Sequence, residues 1–196
     1  IRDSHLDKCK SGQAKVNGID LHPHELVNKY VSSKDIRVSG KSVELTEDPI
    51  IECQWTDIIN NLRETLKNSN KTMKNLFIMC DVSGSMYGEH AGTRFIDACI
   101  ALTLTCSELQ IGALRNRCLT FHMNPEWVIF KEGESLYNRV KRLHKSEWGY
   151  STNIYKGFEK ILYHIVENDI DPDLINDMKF LIISDMQFDA TGRWNK

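Results

Sequence analysis

Two short runs constrain this chain more than anything else in it. "LFIMC" (76–80) and "FLIIS" (180–184) are continuous apolar stretches of strand length, and each gives way to an aspartate, Asp81 and Asp185. A strand facing water on one side alternates apolar with polar residues. An unbroken apolar run instead marks a parallel strand with helices over both faces. The segments between them fit that frame. "RFIDACIALTLTCSEL" (94–109) is helical in spacing and apolar nearly all round, so it is expected to be deeply buried. "CLTF" (118–121) and "WVIF" (127–130) read as short strands joined through "HMNPE", a length suited to a hairpin. "SLYNRVKRL" and "IYKGFEKILYHIV" are amphipathic helices. The resulting alternation predicts an α/β fold, an open, doubly wound and mostly parallel sheet with helices on both faces.

The first fifty residues read differently. Residues 1–20 are polar and patternless, and "HPHELVNKYV" (22–31) sets Leu26, Val27, Tyr30 and Val31 on one helical face behind Pro23. Residues 33–50 read as a linker or extended arm, followed by an amphipathic helix in "WTDIINNLRETL". The expected division is an N-terminal arm with a short helix over 1–50 and an α/β domain over 51–196. At 196 residues and 41% apolar composition the chain has ample material for a core, which argues against global disorder. Its net charge of −2 gives no bulk attraction to nucleic acid. Six cysteines without a C-x-x-C pair read as reduced core residues, pointing to an intracellular setting, cytoplasm or nucleus. No apolar run reaches membrane-spanning length and no secretory signal is visible. A start at Ile1 reads as a fragment or processed piece.

The chemistry concentrates in "CDVSGSM". No Gly-Lys-Ser/Thr follows Gly84, which excludes a nucleotide P-loop. Ser85 does not hold the central place of a G-x-S-x-G elbow, which excludes a hydrolase nucleophile of that type. An aspartyl-phosphate enzyme built on Asp81 would want a second acid two residues on, where Ser83 stands. A hard divalent cation fits better, because it takes oxygen ligands. Alternate residues of an extended loop turn to one side, so Asp81, Ser83 and Ser85 can converge. Neutral hydroxyls would hold such an ion without quenching its charge. The plain alternative is a turn and helix cap. Two further residues, Thr152 in a loop before a helix and Asp185 after the last apolar run, complete an ordered set on the elements where open α/β sheets bind ligands.

This arrangement resembles the von Willebrand factor A (vWA) domain and its metal-ion-dependent adhesion site. The resemblance implies that Asp81, Ser83 and Ser85 form the first ligand loop, Thr152 the second and Asp185 the third. It implies bound Mg²⁺ (or Mn²⁺ or Ca²⁺), with the acids acting partly through water. It also implies strand order 3-2-1-4-5-6, and hence further strands beyond the last one here, from the chain or from a partner. Together "LHPHELVNKY", "CQWTDII", "CDVSGSM", "EWGYSTN" and "ISDMQFD" look closest to an uncharacterised intracellular family of TROVE/vWA type, related to the Ro RNA-binding autoantigen. The expected function is a metal-dependent protein-binding module, not an enzyme, capturing an acidic residue of a partner protein. The alternatives are an RNA-associated component with the basic "RVKRLHK" (139–145) on phosphate, and an aspartyl-phosphate phosphohydrolase. Asp189 is a further acid near the set; Glu89, His90, His22 and His24 read as solvated, and Trp148 as a packing anchor.

Overall fold

The computed structural model describes residues 21–31, 46–120, 124–145, 153–167 and 176–186. In chain order these form α1 (Pro23–Val31), α2 (Pro49–Asn68), β1 (Leu76–Cys80), a 3-10 turn (Gly84–Tyr87), a small hairpin of β2 (Glu89–His90) and β3 (Thr93–Arg94), α3 (Phe95–Leu109), β4 (Arg117–Thr120), β5 (Glu126–Ile129), α4 (Leu136–Lys145), α5 (Ile154–Glu167) and β6 (Lys179–Ile183). The main sheet has order β5-β4-β1-β6. β4 and β6 both run parallel to β1, and β5 turns back antiparallel on β4. The four strands therefore follow the spatial order 3-2-1-4 in their sequence numbering, with the first and fourth side by side. The architecture is mixed α/β around a mostly parallel sheet, as the apolar runs require.

Strand alternation sorts the core into two layers. Ile78 and Cys80 of β1 face a large cluster made with α1, α2, α3 and α4, including Leu26, Trp55, Ile59, Ile100, Leu104, Val140 and Leu143. Phe77 and Met79 face the opposite way, onto Leu119, Leu114 and Ile161 of α5. β1 is thus covered on both faces, which is why all its side chains are apolar. α3 is the central helix. Its spacing leaves Ile96, Cys99, Ile100, Ala101, Thr103 and Leu104 buried, while Leu102 is exposed.

β6 departs from expectation. The sequence places it among strands covered on both sides, yet Lys179 and Phe180 are exposed and Leu181 to Ile183 only half-buried. The reason is position: among the described residues β6 has a neighbour on one side only, so its outer flank and part of one face meet solvent. Phe180 is covered in part by Phe77, stacked at 5.6 Å, and by Phe158 edge-on at 5.4 Å.

The first helices belong to the same core as the sheet. α1 buries Leu26, Val27, Tyr30 and Val31 against α3 and α4. Asn28 Nδ2 donates to the buried Asp97 Oδ2 at 2.6 Å, and Arg94 Nε and Nη2 add bonds to that carboxylate of 2.9 and 3.0 Å. The boundary expected at residue 50 falls in the first turn of α2. That helix starts early because Asp48 accepts the Ile50 N–H at 2.8 Å and Pro49 occupies a position that needs no donor. Glu52 of α2 closes the start of α4 across the interface. Its carboxylate accepts the Leu136 N–H at 2.6 Å, the Tyr137 N–H at 3.0 Å and the Tyr30 hydroxyl at 2.8 Å.

Candidate metal centre

Parallel strands bring their carboxyl ends to one end of a sheet, and β1 and β6 lie in register there, with Cys80 paired to Ile183. One step further, Asp81 N–H donates to the Ile183 carbonyl at 3.0 Å, which carries the ladder past the formal strand end. Asp81 thereby arrives beside Ser184, and Asp185 follows at once. Val82 and Met86 plug into the helix-side core and anchor the loop, so the residues between them are held.

Asp81 is 0% exposed and Ser83 2%. Asp81 Oδ1 accepts the Ser83 N–H at 2.9 Å, and Oδ2 accepts the Ser184 hydroxyl at 2.7 Å. The hydroxyls of Ser83 and Ser85 lie 3.0 Å apart. A 3-10 turn follows, closed by Met86 N–H to the Ser83 carbonyl at 3.2 Å and Gly88 N–H to the Ser85 carbonyl at 3.0 Å. Gly84 is exposed and outside the left-handed region, and among the described residues no atom lies within 4 Å of where a Cβ would sit. Neither strain nor packing accounts for a glycine here.

The electrostatics are unusual. A fully buried carboxylate normally has a cationic partner, because removing it from water costs several kcal/mol. Among the described residues no Lys, Arg or His pairs with Asp81. Asp97, the other acid buried to this degree among the described residues, has Arg94, and the half-buried Glu108 has Arg139 at 2.8 Å. Two neutral donors reach Asp81 and leave lone pairs over, since a carboxylate offers about four acceptor sites. Behind it, the Cys99 thiol lies 3.4 Å from the Asp81 carbonyl and 3.5 Å from Cys80 Sγ. Contact with Cys80 and then burial push that thiol well up, so it stays neutral and adds no charge.

Of the residues singled out from sequence, Asp81, Ser83 and Ser85 gather in one loop, and Asp185 stands one residue past the partner of Asp81 on the adjacent strand end. Thr152, Trp148 and Asp189 lie outside the described residues. Asn153, the next residue after Thr152, accepts the Lys156 N–H at 3.1 Å and so sits at the start of α5. Glu89 and His90 are exposed on the small hairpin, and the rings of His22 and His24 stack at 5.6 Å at the start of α1. Tyr87 at the end of the loop contacts His144 of α4, hydroxyl to Nε2, at 3.4 Å. The residue that sequence reasoning missed is Ser184. Its only local signal is that it is the first polar residue of "FLIIS", next to Asp185.

Among the described residues no group of three or more His, Cys, Asp and Glu gathers for metal binding. The donor set here is of another kind, serine hydroxyls beside a carboxylate, and it suits a hard cation rather than zinc or copper. The buried uncompensated charge and the convergent hydroxyls fit Mg²⁺, Mn²⁺ or Ca²⁺, with Asp81, Ser83 and Ser85 as the residues that could hold it.

Among the described residues no helix is long and apolar enough to cross a membrane. No solved structure matches the chain. The chain is similar to the uncharacterized protein L728 of Acanthamoeba polyphaga mimivirus, with 32% identity over 184 residues, 94% of this chain and 28% of the viral protein. It therefore spans less than a third of that relative's length. A family described as a domain of unknown function, DUF7788, matches residues 75–196, from the start of β1 through the strand-end cluster and on to the last residue. The chain belongs to the DUF7788 family.

Proposed function

We propose that this protein is a divalent-cation-dependent binding module, not an enzyme, in which the cluster around Asp81 holds Mg²⁺ (or Mn²⁺ or Ca²⁺) and offers it to a carboxylate of a partner protein. The observation that carries this reading is the fully buried Asp81 carboxylate without a cationic partner among the described residues. A cation supplies the missing charge, and the Ser83 and Ser85 hydroxyls, 3.0 Å apart, supply neutral oxygens beside it. A site with few anionic ligands leaves its ion able to attract one more anion, which is the property a carboxylate-capturing surface needs. The resemblance to vWA domains supports the same reading, with Thr152 and Asp185 as the remaining ligands, and the strand order 3-2-1-4 is compatible with it.

Titration calorimetry tests it directly. Mg²⁺ or Mn²⁺ should bind the wild-type chain with one site, and the binding should disappear in Asp81→Ala. Binding that survives the substitution unchanged, or no binding by the wild type, overturns the assignment.

A further inference from the structure

We propose that Ser184 is the positioning residue of this site, a single hydroxyl that orients Asp81 directly and the backbone of Asp185 from both sides. The proposal rests on the cation reading above. The hydroxyl has one proton, and it donates to Asp81 Oδ2 at 2.7 Å. The same oxygen accepts the Met186 N–H at 2.9 Å. Asp81 is thereby gripped from two elements, on Oδ1 by its own loop through the Ser83 N–H and on Oδ2 by the neighbouring strand. With both oxygens engaged, the carboxylate cannot swing about its terminal bond without breaking one contact.

The second bond acts on the third loop. Met186 has φ 65°, in the left-handed region that a side chain disfavours, and its side chain is 72% exposed, so packing does little to hold it there. The N–H bond to Ser184 offsets that strain and closes a tight turn around Asp185. Asp185 therefore has its preceding and following residues tied to one oxygen atom. Two carboxylates from strand ends 104 residues apart in sequence are brought under one geometric control (81 and 185). A Mg²⁺ site needs this, because the ion demands near-octahedral oxygens at about 2.0–2.1 Å, whereas Ca²⁺ tolerates about 2.3–2.6 Å in irregular arrangements. Groups that orient metal ligands without touching the metal typically matter by about 10–100-fold in affinity.

The test compares Mg²⁺ and Ca²⁺ binding by calorimetry in the full chain and in Ser184→Ala and Ser184→Thr, with thermal melts in chelator alongside. Ser184→Ala should weaken Mg²⁺ by about 10–100-fold and Ca²⁺ by clearly less, and Ser184→Thr, which keeps the hydroxyl, should restore Mg²⁺ binding to within about threefold. A merely structural role would lower the chelator melt and weaken both ions alike, without rescue by threonine; that result overturns the proposal. Wild-type Mg²⁺ affinity in Ser184→Ala overturns it too, while leaving the cation reading intact. Wild-type protein that binds neither Mg²⁺ nor Mn²⁺ removes both. If Ser184→Ala does not fold, Ser184→Cys, of nearly the same shape with a weaker donor, takes its place and should show the same order of losses.

Discussion

Replacing Asp81 by asparagine should reverse the stability order of two proteins according to whether Mg²⁺ is present. In chelator, the wild type buries a carboxylate at a penalty of several kcal/mol. Two hydrogen bonds to a charged acceptor, at about 1.5–3 kcal/mol each, roughly offset it. Asparagine has the same shape. Its Oδ1 keeps the Ser83 N–H, and its Nδ2 faces the Ser184 oxygen, which has a lone pair to accept it. Both bonds become neutral, about 1 kcal/mol each, and the ionic penalty goes. Asp81→Asn should therefore melt at or above the wild type in chelator, by up to about 2 kcal/mol. With Mg²⁺ at about 100 times its dissociation constant, the wild type gains about 2.7 kcal/mol. For a chain of this size that is about 5–11 °C in Tm. The variant should gain almost none of it and melt below the wild type. Differential scanning calorimetry in EDTA and in Mg²⁺ reads both halves. If the variant is less stable by the same amount in both buffers, Asp81 serves only as a turn residue, and the argument from its missing counter-charge fails.

Other expectations concern the frame around the site. Burial pushes the Glu52 carboxyl above its ordinary range, against the hydrogen bonds from Tyr137, Tyr30 and Leu136 that pull it down. A raised carboxyl binds protons more tightly folded than unfolded, so its contribution is fully present below the ordinary glutamate pKa and is lost as pH rises through the folded value. Urea midpoints of Glu52→Gln followed upward from pH 4 should lack that falling component; an identical pH profile would refute the assignment. Glu52→Ala removes the acceptor for three donors at once and should cost about 3 kcal/mol by chemical denaturation. Asp97→Ala leaves Arg94 and Asn28 without the carboxylate that joins α1 to α3, and should cost about 2–4 kcal/mol; a loss under about 1 kcal/mol would show the link to be idle. Leu104→Ala, fully buried at the centre of the helix layer, should cost about 2–5 kcal/mol without changing cation affinity.

Much of this frame can be read from local sequence. The unbroken "LFIMC" run demands cover on both faces, and β1 receives it from four helices on one side and α5 on the other. The near-uniform apolarity of 94–109 likewise announces the deeply buried α3. The start of α2 is a local signal of the same kind, an aspartate cap followed by proline, and reading residues 33–50 as a linker passed over it. "FLIIS" looks equally buried on paper but forms a half-exposed strand. Composition reports what a segment tolerates, whereas its place at the edge of the sheet among the described residues depends on which strands pair, a property of the whole sheet. α1 shows the converse. Its apolar face is plain, but that it docks on α3 through Asn28 and Asp97 requires two segments 69 residues apart to meet.

The site divides along the same line. Asp81, Ser83 and Ser85 are close in the chain, so their convergence follows from loop geometry, and the sequence alone determined that a carboxylate and two hydroxyls would stand together at a strand end. It also determined that Asp185 would end a second strand. The strand order implied by the vWA resemblance already sets those two strands side by side, as the sheet has them. Only the tertiary structure decided the register that sets Ser184 against Asp81, and that the Asp81 carboxylate is wholly buried without a cationic partner among the described residues. Hydrogen-bond register and burial are relations between distant segments, settled by pairing and packing. No spacing within either segment encodes them.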